Sequence, residues 1–378
     1  MIYDGHAYCF PSLRGDGGFD DSDEFRKHLQ LAIASHFQPI WRSRDRMAGD
    51  NSDLIDTRVD RGFDALKDVQ FRATSHGRFE WTIDGEDYFK QYTSPSVRDM
   101  AYYADDLVAE MDYAGIDMAL LHRIPYLGIG NNFVVDCCRK FPDRLQGLAH
   151  VEEWLIRPDM DNAVKKIKLA INEQGLNGIQ FIPDQLPLYG QTEDWDSDDF
   201  KPFWDAVASL DVPLFITPSY ASLVMPGFAD SKPLVTQLEM INRWMNLYPG
   251  VTVIFTHGLS WRLFIKGDGL SIPDDVYNAI PDNSNFHMQL LFAIFLGGIW
   301  DYPMVQVRHT MRELVDRVGP ERLIWGTDMP MVMRFYTYRQ NLDHIRICSD
   351  FLPSDQTELI IGGNMERLMG IQRNRMNT

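Results

Sequence analysis

The chain has 378 residues and a formal net charge of −18 at pH 7, with 45% hydrophobic, 12% aromatic and 24% charged residues. This proportion of apolar residues can fill a large core and excludes a disordered chain. The negative charge argues against nucleic acids and anionic membrane surfaces as partners, because their phosphates would be repelled. The length fits two domains or one barrel with an insertion.

The cysteines and the amino terminus bear on the cellular compartment. Cys9, Cys137, Cys138 and Cys348 show no Cys-x-x-Cys spacing, and the adjacent pair Cys137-Cys138 fits a helix. The first residues lack a signal-peptide pattern, and no stretch of about 18 apolar residues follows. We therefore expect a soluble protein of the reducing cytoplasm.

A long polar segment follows the first apolar run, which spans Ile2 to His6. It covers residues 10–96 and is predicted to be a lid or flap, because a loop of this length in a compact domain usually has such a role. Inside it, Arg78 to Ile83 alternates like a strand, and Asp84-Gly85 is a tight-turn signal, so we predict a hairpin. A hairpin that only decorates the surface fits equally well.

The rest of the chain alternates between apolar runs and amphipathic segments. A helix is predicted to begin at Ser96-Val97-Arg98-Asp99 and to end at Gly115. The seven later apolar runs span Met118 to His122, Leu145 to Glu152, Gly178 to Asp184, Val212 to Thr217, Val251 to His257, Asn285 to Gln289 and Arg322 to Asp328. The helical segments are 131–141, 159–174, 199–210, 233–248 and 302–318.

With the first run, these runs make eight strand candidates, and strands that alternate with helices imply a parallel sheet. We therefore predict a (β/α)8 TIM barrel, with residues 1–378 as one domain and the lid as an insertion after strand one. An open doubly wound sheet is the alternative, but the glycines at 15–18 and 128–130 lack the dinucleotide-binding spacing. The tail, 359–371, is predicted to be a helix capped by an asparagine that closes the barrel against the first strand.

In such a barrel the carboxyl ends of all strands meet at one mouth, so distant residues become neighbours. Imidazoles and a carboxylate can hold a divalent cation such as zinc, and a further imidazole can accept a proton from water. The polar residues at or near the predicted strand ends are His6, Tyr8, His122, Arg123, His150, Glu152, Gln180, Thr217, His257, His287, Gln289 and Asp328.

Four short motifs lie at strand ends one, six and eight and in the tail: Asp4-x-His6, Thr256-His257-Gly258, Gly326-Thr327-Asp328-Met329-Pro330 and Gly362-Gly363-Asn364-x-x-Arg367-Leu368. Together they resemble the amidohydrolase superfamily. The nearest branch resembles the one that contains aminocarboxymuconate-semialdehyde decarboxylase and gamma-resorcylate decarboxylase. The resemblance implies a metal held by a His-x-His pair on strand one, a histidine that ends strand five and the aspartate of strand eight. It also implies a homodimer or higher homo-oligomer.

Two of the four implied ligand positions depart from this pattern. His6 and Asp328 match, but Tyr8 replaces the second histidine of the pair and Thr217 stands at the end of strand five. Two mechanisms therefore stay open. One zinc or manganese ion could be held by His6, His257 and Asp328. Without a metal, His257 and Asp328 would act as general acid and base, and Tyr8 would donate a hydrogen bond to developing negative charge.

The branch resemblance implies a decarboxylase or related lyase that cleaves a small cyclic or aromatic carboxylic acid. Hydrolysis of an amide, lactone or ester and a catalytically silent binding protein are the alternatives. Because a guanidinium offers two parallel donors, Arg123 and Arg262 are candidate clamps for a substrate carboxylate. The other candidate substrate-binding residues are His122, Gln180, Thr217 and His287. Buried structural roles fit His122, His150 and His287 as well.

Overall fold

In a computed structural model, residues 1–50, 53–56, 58–59, 62–217 and 231–370 are described. The strands among them are β1 (Tyr3–Ala7), β2 (Ile40–Arg42), β3 (Arg72–Ala73), β4 (Arg78–Ile83), β5 (Glu86–Gln91), β6 (Met118–Leu121), β7 (Leu145–His150), β8 (Gly178–Phe181), β9 (Leu214–Ile216), β10 (Val253–Phe255), β11 (Phe286–Leu290) and β12 (Leu323–Trp325).

The α-helices of the described residues are α1 (Ser22–Ser35), α2 (Ala104–Ala114), α3 (Asn131–Lys140), α4 (Met160–Asn172), α5 (Gln185–Leu188), α6 (Lys201–Ala208), α7 (Lys232–Leu247), α8 (Asp274–Ala279), α9 (Phe292–Leu296), α10 (Arg308–Val318), α11 (Tyr338–Arg346), α12 (Ser354–Glu358) and α13 (Asn364–Leu368). Short 3₁₀ turns span Phe63–Ala65, Pro125–Leu127, Glu153–Leu155, Asp198–Phe200, Trp261–Phe264, Val305–Val307, Pro320–Arg322 and Met331–Arg334, and a π-helical turn spans Leu359–Gly363. None of the helices in these ranges is long and apolar enough to cross a membrane.

Eight of the strands form a parallel barrel, as predicted. Their order is β1-β6-β7-β8-β9-β10-β11-β12, which is the order along the chain. The first and last strands meet where Tyr8 N donates to Met329 O at 2.7 Å and Asp328 N donates to His6 O at 2.8 Å. These contacts argue against the open doubly wound sheet, because its edge strands would stay apart.

The strands are apolar along their whole length because each is buried on both faces. Side chains from six strands fill the inside of the barrel: Tyr3, Met118, Leu120, Leu148, Phe215, Ile254 and Ile324. Met365, on α13, packs against this group and closes the end of the barrel opposite the mouth. A second, larger group lies between the strands and the surrounding helices.

The carboxylate of Asp4 fastens the first strand to the last. This buried side chain accepts hydrogen bonds from His6 N and Thr327 N, both at 3.0 Å, and from Thr327 Oγ1 at 2.5 Å. Tyr338 Oη, on α11, donates to the same carboxylate at 2.7 Å. The aspartate of the Asp4-x-His6 motif therefore holds the barrel closed directly beneath the site.

The insertion forms α1 and an antiparallel sheet of order β2-β5-β4-β3. The predicted hairpin is β4 and β5, and Asp84 and Gly85 between them have φ of 51° and 79°. Positive φ at both residues is the geometry of a two-residue hairpin turn of type I′. Lys90 Nζ donates to the carbonyl oxygens of Ile33 and His36 at 2.6 and 2.7 Å, so the sheet is tied to the end of α1.

The helix predicted from Ser96 starts later, at Ala104. Backbone hydrogen bonds in both directions between Phe10 and Tyr102, at 2.8 and 3.0 Å, hold the preceding residues extended. The helix then begins where Asp106 accepts from Tyr103 N at 3.1 Å. Pairing with a distant segment therefore overrode the local capping signal at Ser96.

The tail also differs in detail from the prediction. Asn364 does not cap a helix from outside; it is the first residue of α13. Its side-chain amide donates to the carbonyl oxygens of Pro320 and Leu323, both at 2.8 Å, so it fastens the tail to the last strand. Gly362 packs so closely on Met1 that an added Cβ would lie 2.1 Å from the Met1 carbonyl oxygen. The predicted end of the tail, Ile371, lies outside the described residues.

We expect Asp4→Ala to lower the free energy of unfolding by about 3 to 5 kcal/mol, because it leaves several buried donors without an acceptor. Tyr338→Phe removes one of these bonds and should cost about 1 to 2 kcal/mol. Urea denaturation checks both values. Tyr113→Phe is the control, since this side chain is 83% exposed and its change should stay within about 0.5 kcal/mol. Equal stability of Asp4→Ala and the unmodified protein would contradict the role of Asp4.

Candidate active site

A cavity of about 180 Å³ opens at the carboxyl ends of the barrel strands. A cavity of about 150 Å³ can hold benzene, so this one has room for a small ring. Its polar floor comes from the barrel: Tyr8, Thr217, His257 and Asp328. The walls are largely apolar and aromatic and include Leu31, Phe37, Ile124, Tyr126, Ile182, Leu188, Ile294 and Phe295. Leu31 belongs to α1 and Phe37 follows it, so the insertion forms part of the cavity wall.

Three side chains converge at the floor. His6 Nε2 and His257 Nε2 each lie 3.5 Å from Asp328 Oδ1. One ligand atom of each residue lies within 4.8 Å of the others, and all three residues are buried. The structure thus brings together the three residues predicted from strands one, six and eight.

The amide of Gln289 fixes the tautomer of His6. Gln289 Nε2 donates to Gly5 O at 2.7 Å, so the Oε1 atom faces the site, where it accepts from His257 N at 3.1 Å. His6 Nδ1 lies 2.7 Å from the same oxygen, which can only accept. His6 therefore carries its proton on Nδ1, and its Nε2 presents a lone pair, to which Tyr8 Oη donates at 2.9 Å.

A chain of hydroxyls fixes the tautomer of His257 in the same way. Gln180 Nε2 donates to Thr217 Oγ1 at 3.2 Å, and Thr256 Oγ1 donates to the same oxygen at 3.0 Å. The hydroxyl proton of Thr256 is thereby used, so Thr256 accepts from His257 Nδ1, which lies at 3.3 Å. His257 Nε2 is then also unprotonated.

Two lone pairs and a carboxylate oxygen therefore face one another. Burial lowers the pKa of His257 to about 3, and burial together with the nearby His257 lowers the pKa of His6 to about 3, so both rings are neutral. Burial raises the pKa of Asp328 to about 6, although the electrostatic interaction with His6 and the positive charge of Arg334 oppose this shift. Neutral imidazoles and a carboxylate are the donors that zinc and manganese accept, and separations of 3.5 Å suit ligands about 2 Å from one ion. The donor set fits a divalent metal ion.

Two of these residues have a strained backbone. His257 and Asp328 have φ of 64° and 69°, in the left-handed region that side chains other than glycine rarely adopt. Trp261 Nε1 donates to His257 O at 3.0 Å and helps to hold the first of these turns. Such strain persists where the surroundings determine the geometry and often marks functional sites.

The two departures from the family pattern have different surroundings. Tyr8 lies beside the donors, with its hydroxyl on His6. Thr217 lines the cavity and also belongs to the hydroxyl chain that orients His257. Gln180 lies behind Thr217 and accepts from Arg123 N at 2.6 Å. The substrate-binding roles of Thr217 and Gln180 stay predictions.

Of the remaining predicted residues, His122 is close to the donors. Its ring stacks on His6, with centroids 3.6 Å apart and planes 10° from parallel, and its Nε2 lies 3.0 Å from Gly5 O. It supports the orientation of His6 from behind. Arg123 is buried and does not line the cavity, and its guanidinium nitrogens have no protein partner among the described residues.

Four other residues lie away from the donors. His150 pairs with Glu153 at 3.1 Å, and Glu152 pairs with Lys166. Burial, together with the nearby charges of Arg367 and Arg322, lowers the pKa of His287 to about 4. Arg367 belongs to α13 and Arg322 to the turn before β12, so His287 lies toward the end of the barrel opposite the mouth. Arg262 stacks on the ring of Phe37, with its guanidinium carbon 3.7 Å from the ring centroid.

Several cavity residues escaped the sequence reasoning. His28 and His36 come from α1 and its C-cap, and Arg334 follows Asp328 by six residues. The signal for Arg334 was its position in the loop after the last barrel strand, where a basic side chain can reach the mouth. No local signal distinguished the α1 residues, because their place over the mouth depends on how the insertion folds back.

Comparison with known proteins identifies the family of this chain. The amidohydrolase family model matches residues 33–371. Gamma-resorcylate decarboxylase from Rhodococcus jostii (strain RHA1) is 23% identical over an alignment 229 residues long, and the match covers 53% of this chain and 64% of that protein. The match therefore spans somewhat less than two thirds of the relative.

Two solved structures have the same fold. A dihydroxybenzoic acid decarboxylase from Polaromonas sp. JS666, with bound manganese and the inhibitor 2-nitroresorcinol, has a TM-score of 0.53 and 18% identity and covers 72% of this chain and 88% of its own. A probable 2-pyrone-4,6-dicarboxylic acid hydrolase from Acinetobacter baumannii, with citric acid bound, has a TM-score of 0.52 and 18% identity, with coverage of 74% and 94%. The family match covers most of the sequence, and the chain belongs to the amidohydrolase family.

Proposed function

We propose that the protein is a metal-dependent decarboxylase of a small aromatic carboxylic acid. The observation that carries this proposal is the convergence of His6 Nε2, His257 Nε2 and Asp328 Oδ1, because His257 and Asp328 line a cavity with aromatic walls. The similarity to gamma-resorcylate decarboxylase and to the manganese-containing dihydroxybenzoic acid decarboxylase supports the same reaction class.

The residues have separate roles in this proposal. His6, His257 and Asp328 would hold the ion, which when bound would polarise a phenolate oxygen of the substrate and draw electron density from the ring. Tyr8 and the aromatic walls bind and orient the ring and exclude water. With the ion bound these donors carry no transferable proton, and Tyr8, whose hydroxyl lies beside them, would supply the proton that replaces the departing carboxyl group. Without an ion, His257 and Asp328 would act as general acid and base instead. The carbon–carbon bond breaks, its electron pair stays on the ring carbon, and that carbon takes the proton.

The insertion completes the proposed site. We propose that residues 10–96 act as a lid within one barrel domain, because Leu31, His36 and Phe37 form part of the cavity wall. Closure of such a lid would exclude water from the charged floor. A homodimer and a cytoplasmic location stay predictions.

The first test is Asp328→Asn. It removes the carboxylate charge with little change of volume, so we expect kcat to fall by about 10²- to 10⁴-fold. A panel of hydroxybenzoic acids, with 2,6-dihydroxybenzoate among them, is assayed for release of carbon dioxide. Asp184→Asn is the matched control, because Asp184 also lines the cavity but lies outside the donor group. Unchanged turnover by Asp328→Asn would remove Asp328 from the chemistry.

The same donors could activate water, as in a hydrolase, and the panel therefore includes pyrone lactones and aryl esters. Turnover of a lactone or ester that depends on Asp328, without release of carbon dioxide from any acid, would replace the decarboxylase proposal by the hydrolase alternative. Binding of panel compounds with no turnover of any of them would favour the silent binding protein.

The second test concerns the metal. Gln289→Met removes the acceptor that orients His6 and His257, so we expect manganese or zinc affinity to fall by about 10- to 100-fold. Metal titration by calorimetry measures the change. His287→Gln is the control, since this residue of the same strand lies toward the opposite end of the barrel and should leave the affinity unchanged. Equal affinity in the Gln289→Met variant and the unmodified protein would contradict the role of Gln289.

A further inference from the structure

The cavity contains a cationic side chain that the proposed chemistry does not use. Arg334 lines the cavity together with Asp184 and Asp328 and is its only arginine or lysine among the described residues. The histidines that share the wall with it, His28 and His36, are neutral, because burial lowers the pKa of each to about 3. A negatively charged ligand would therefore find one permanent positive charge in this part of the cavity.

The surroundings of Arg334 hold its guanidinium without neutralising it. Arg334 Nη1 donates to Tyr92 O at 3.1 Å, and the guanidinium carbon lies 5.0 Å from the centroid of the Tyr92 ring. Tyr92 is held in turn by a 2.8 Å hydrogen bond to the hydroxyl of Tyr126, another cavity residue. Arg334 Nε is shielded from solvent and has no hydrogen-bond partner in the described part of the chain. A buried donor without an acceptor is costly, and an oxyanion would satisfy it.

No carboxylate among the described residues forms an ion pair with Arg334 within 4.0 Å. The cavity therefore has two separate polar regions, the donor group with Asp328 and the guanidinium of Arg334. Arg123 and Arg262 do not line the cavity, and Lys90 is bonded to the carbonyls at the end of α1.

We propose that Arg334 binds an oxyanion of the substrate that is retained in the product, so that the preferred substrate is an aromatic acid with a second anionic group. This inference rests on the proposed decarboxylation. The departing carboxylate loses its negative charge as carbon dioxide forms, so a cation held on it would stabilise the substrate more than the transition state. A group that keeps its charge is stabilised equally in both states, and there Arg334 contributes binding and orientation without opposing the reaction.

Isothermal titration calorimetry with isophthalate and benzoate tests the inference without turnover. Isophthalate has one carboxylate more than benzoate, and one charge-assisted contact corresponds to about ten- to a hundredfold in affinity. We expect the unmodified, metal-loaded protein to bind isophthalate tighter by that factor. Arg334→Met should bring the ratio of isophthalate to benzoate affinity to within about twofold of one. It should leave the affinity for benzoate within about twofold of that of the unmodified protein. Arg334→Lys, which keeps the charge but not the fork, should give an intermediate ratio.

Benzoate binding is the internal control for folding of each variant, and Arg262→Met is the matched control, because this arginine lies behind Phe37 and should leave the ratio unchanged. The inference is overturned if the unmodified protein binds neither acid or binds both equally, if Arg334→Met keeps the preference for isophthalate, or if it loses benzoate to the same degree. If the protein prefers isophthalate but releases no carbon dioxide from any acid of the panel, the decarboxylase proposal fails while the role of Arg334 stands.

Discussion

The amide of Gln289 is the interaction on which the geometry of the site depends. Its nitrogen is fixed by the carbonyl of Gly5, so its oxygen must accept from the His6 ring and from the backbone of His257 at once. One side chain on β11 thereby connects His6, on β1, with His257, which follows β10. Because an amide oxygen only accepts, this arrangement also places the His6 lone pair on Nε2, the atom that lies 3.5 Å from Asp328 Oδ1. The tautomers are set by neutral groups of the barrel before any ligand arrives.

The departure from the family pattern at Thr217 is explained by the hydrogen bonds that orient His257. A threonine at the end of β9 is too weak a donor to replace an imidazole. It takes part instead in the hydroxyl chain that begins at Gln180 and ends at His257 Nδ1. His257, one strand further round the barrel, is thus oriented with the help of the residue that stands where the family pattern places a ligand. The donor set is smaller than the family pattern, but Gln289 orients His6 and Thr256 orients His257 by hydrogen bonds.

The sequence contained much of the fold and part of the site. Apolar runs that end in a polar residue gave all eight barrel strands, because parallel strands buried on both faces leave that signature. His6, His257 and Asp328 were accessible because strand ends meet at one mouth. The predicted start of α2 was wrong because backbone hydrogen bonds between Phe10 and Tyr102 outweighed the local capping signal at Ser96. The place of α1 over the mouth had no local signature, since it depends on the packing of the whole insertion.

The residues that would carry the chemistry and those that would select the substrate come from different parts of the fold. The donors stand on strand ends, which the barrel fixes through hydrogen bonds such as those of Asp4 across its seam. The walls that a substrate ring would meet come from α1, from the segments that follow several barrel strands and from the turn that carries Arg334. Loops and insertions vary more readily than strands, because fewer backbone hydrogen bonds constrain them. Proteins that share this barrel can therefore differ in substrate. Selectivity in this protein has to be sought in the residues that cover the barrel.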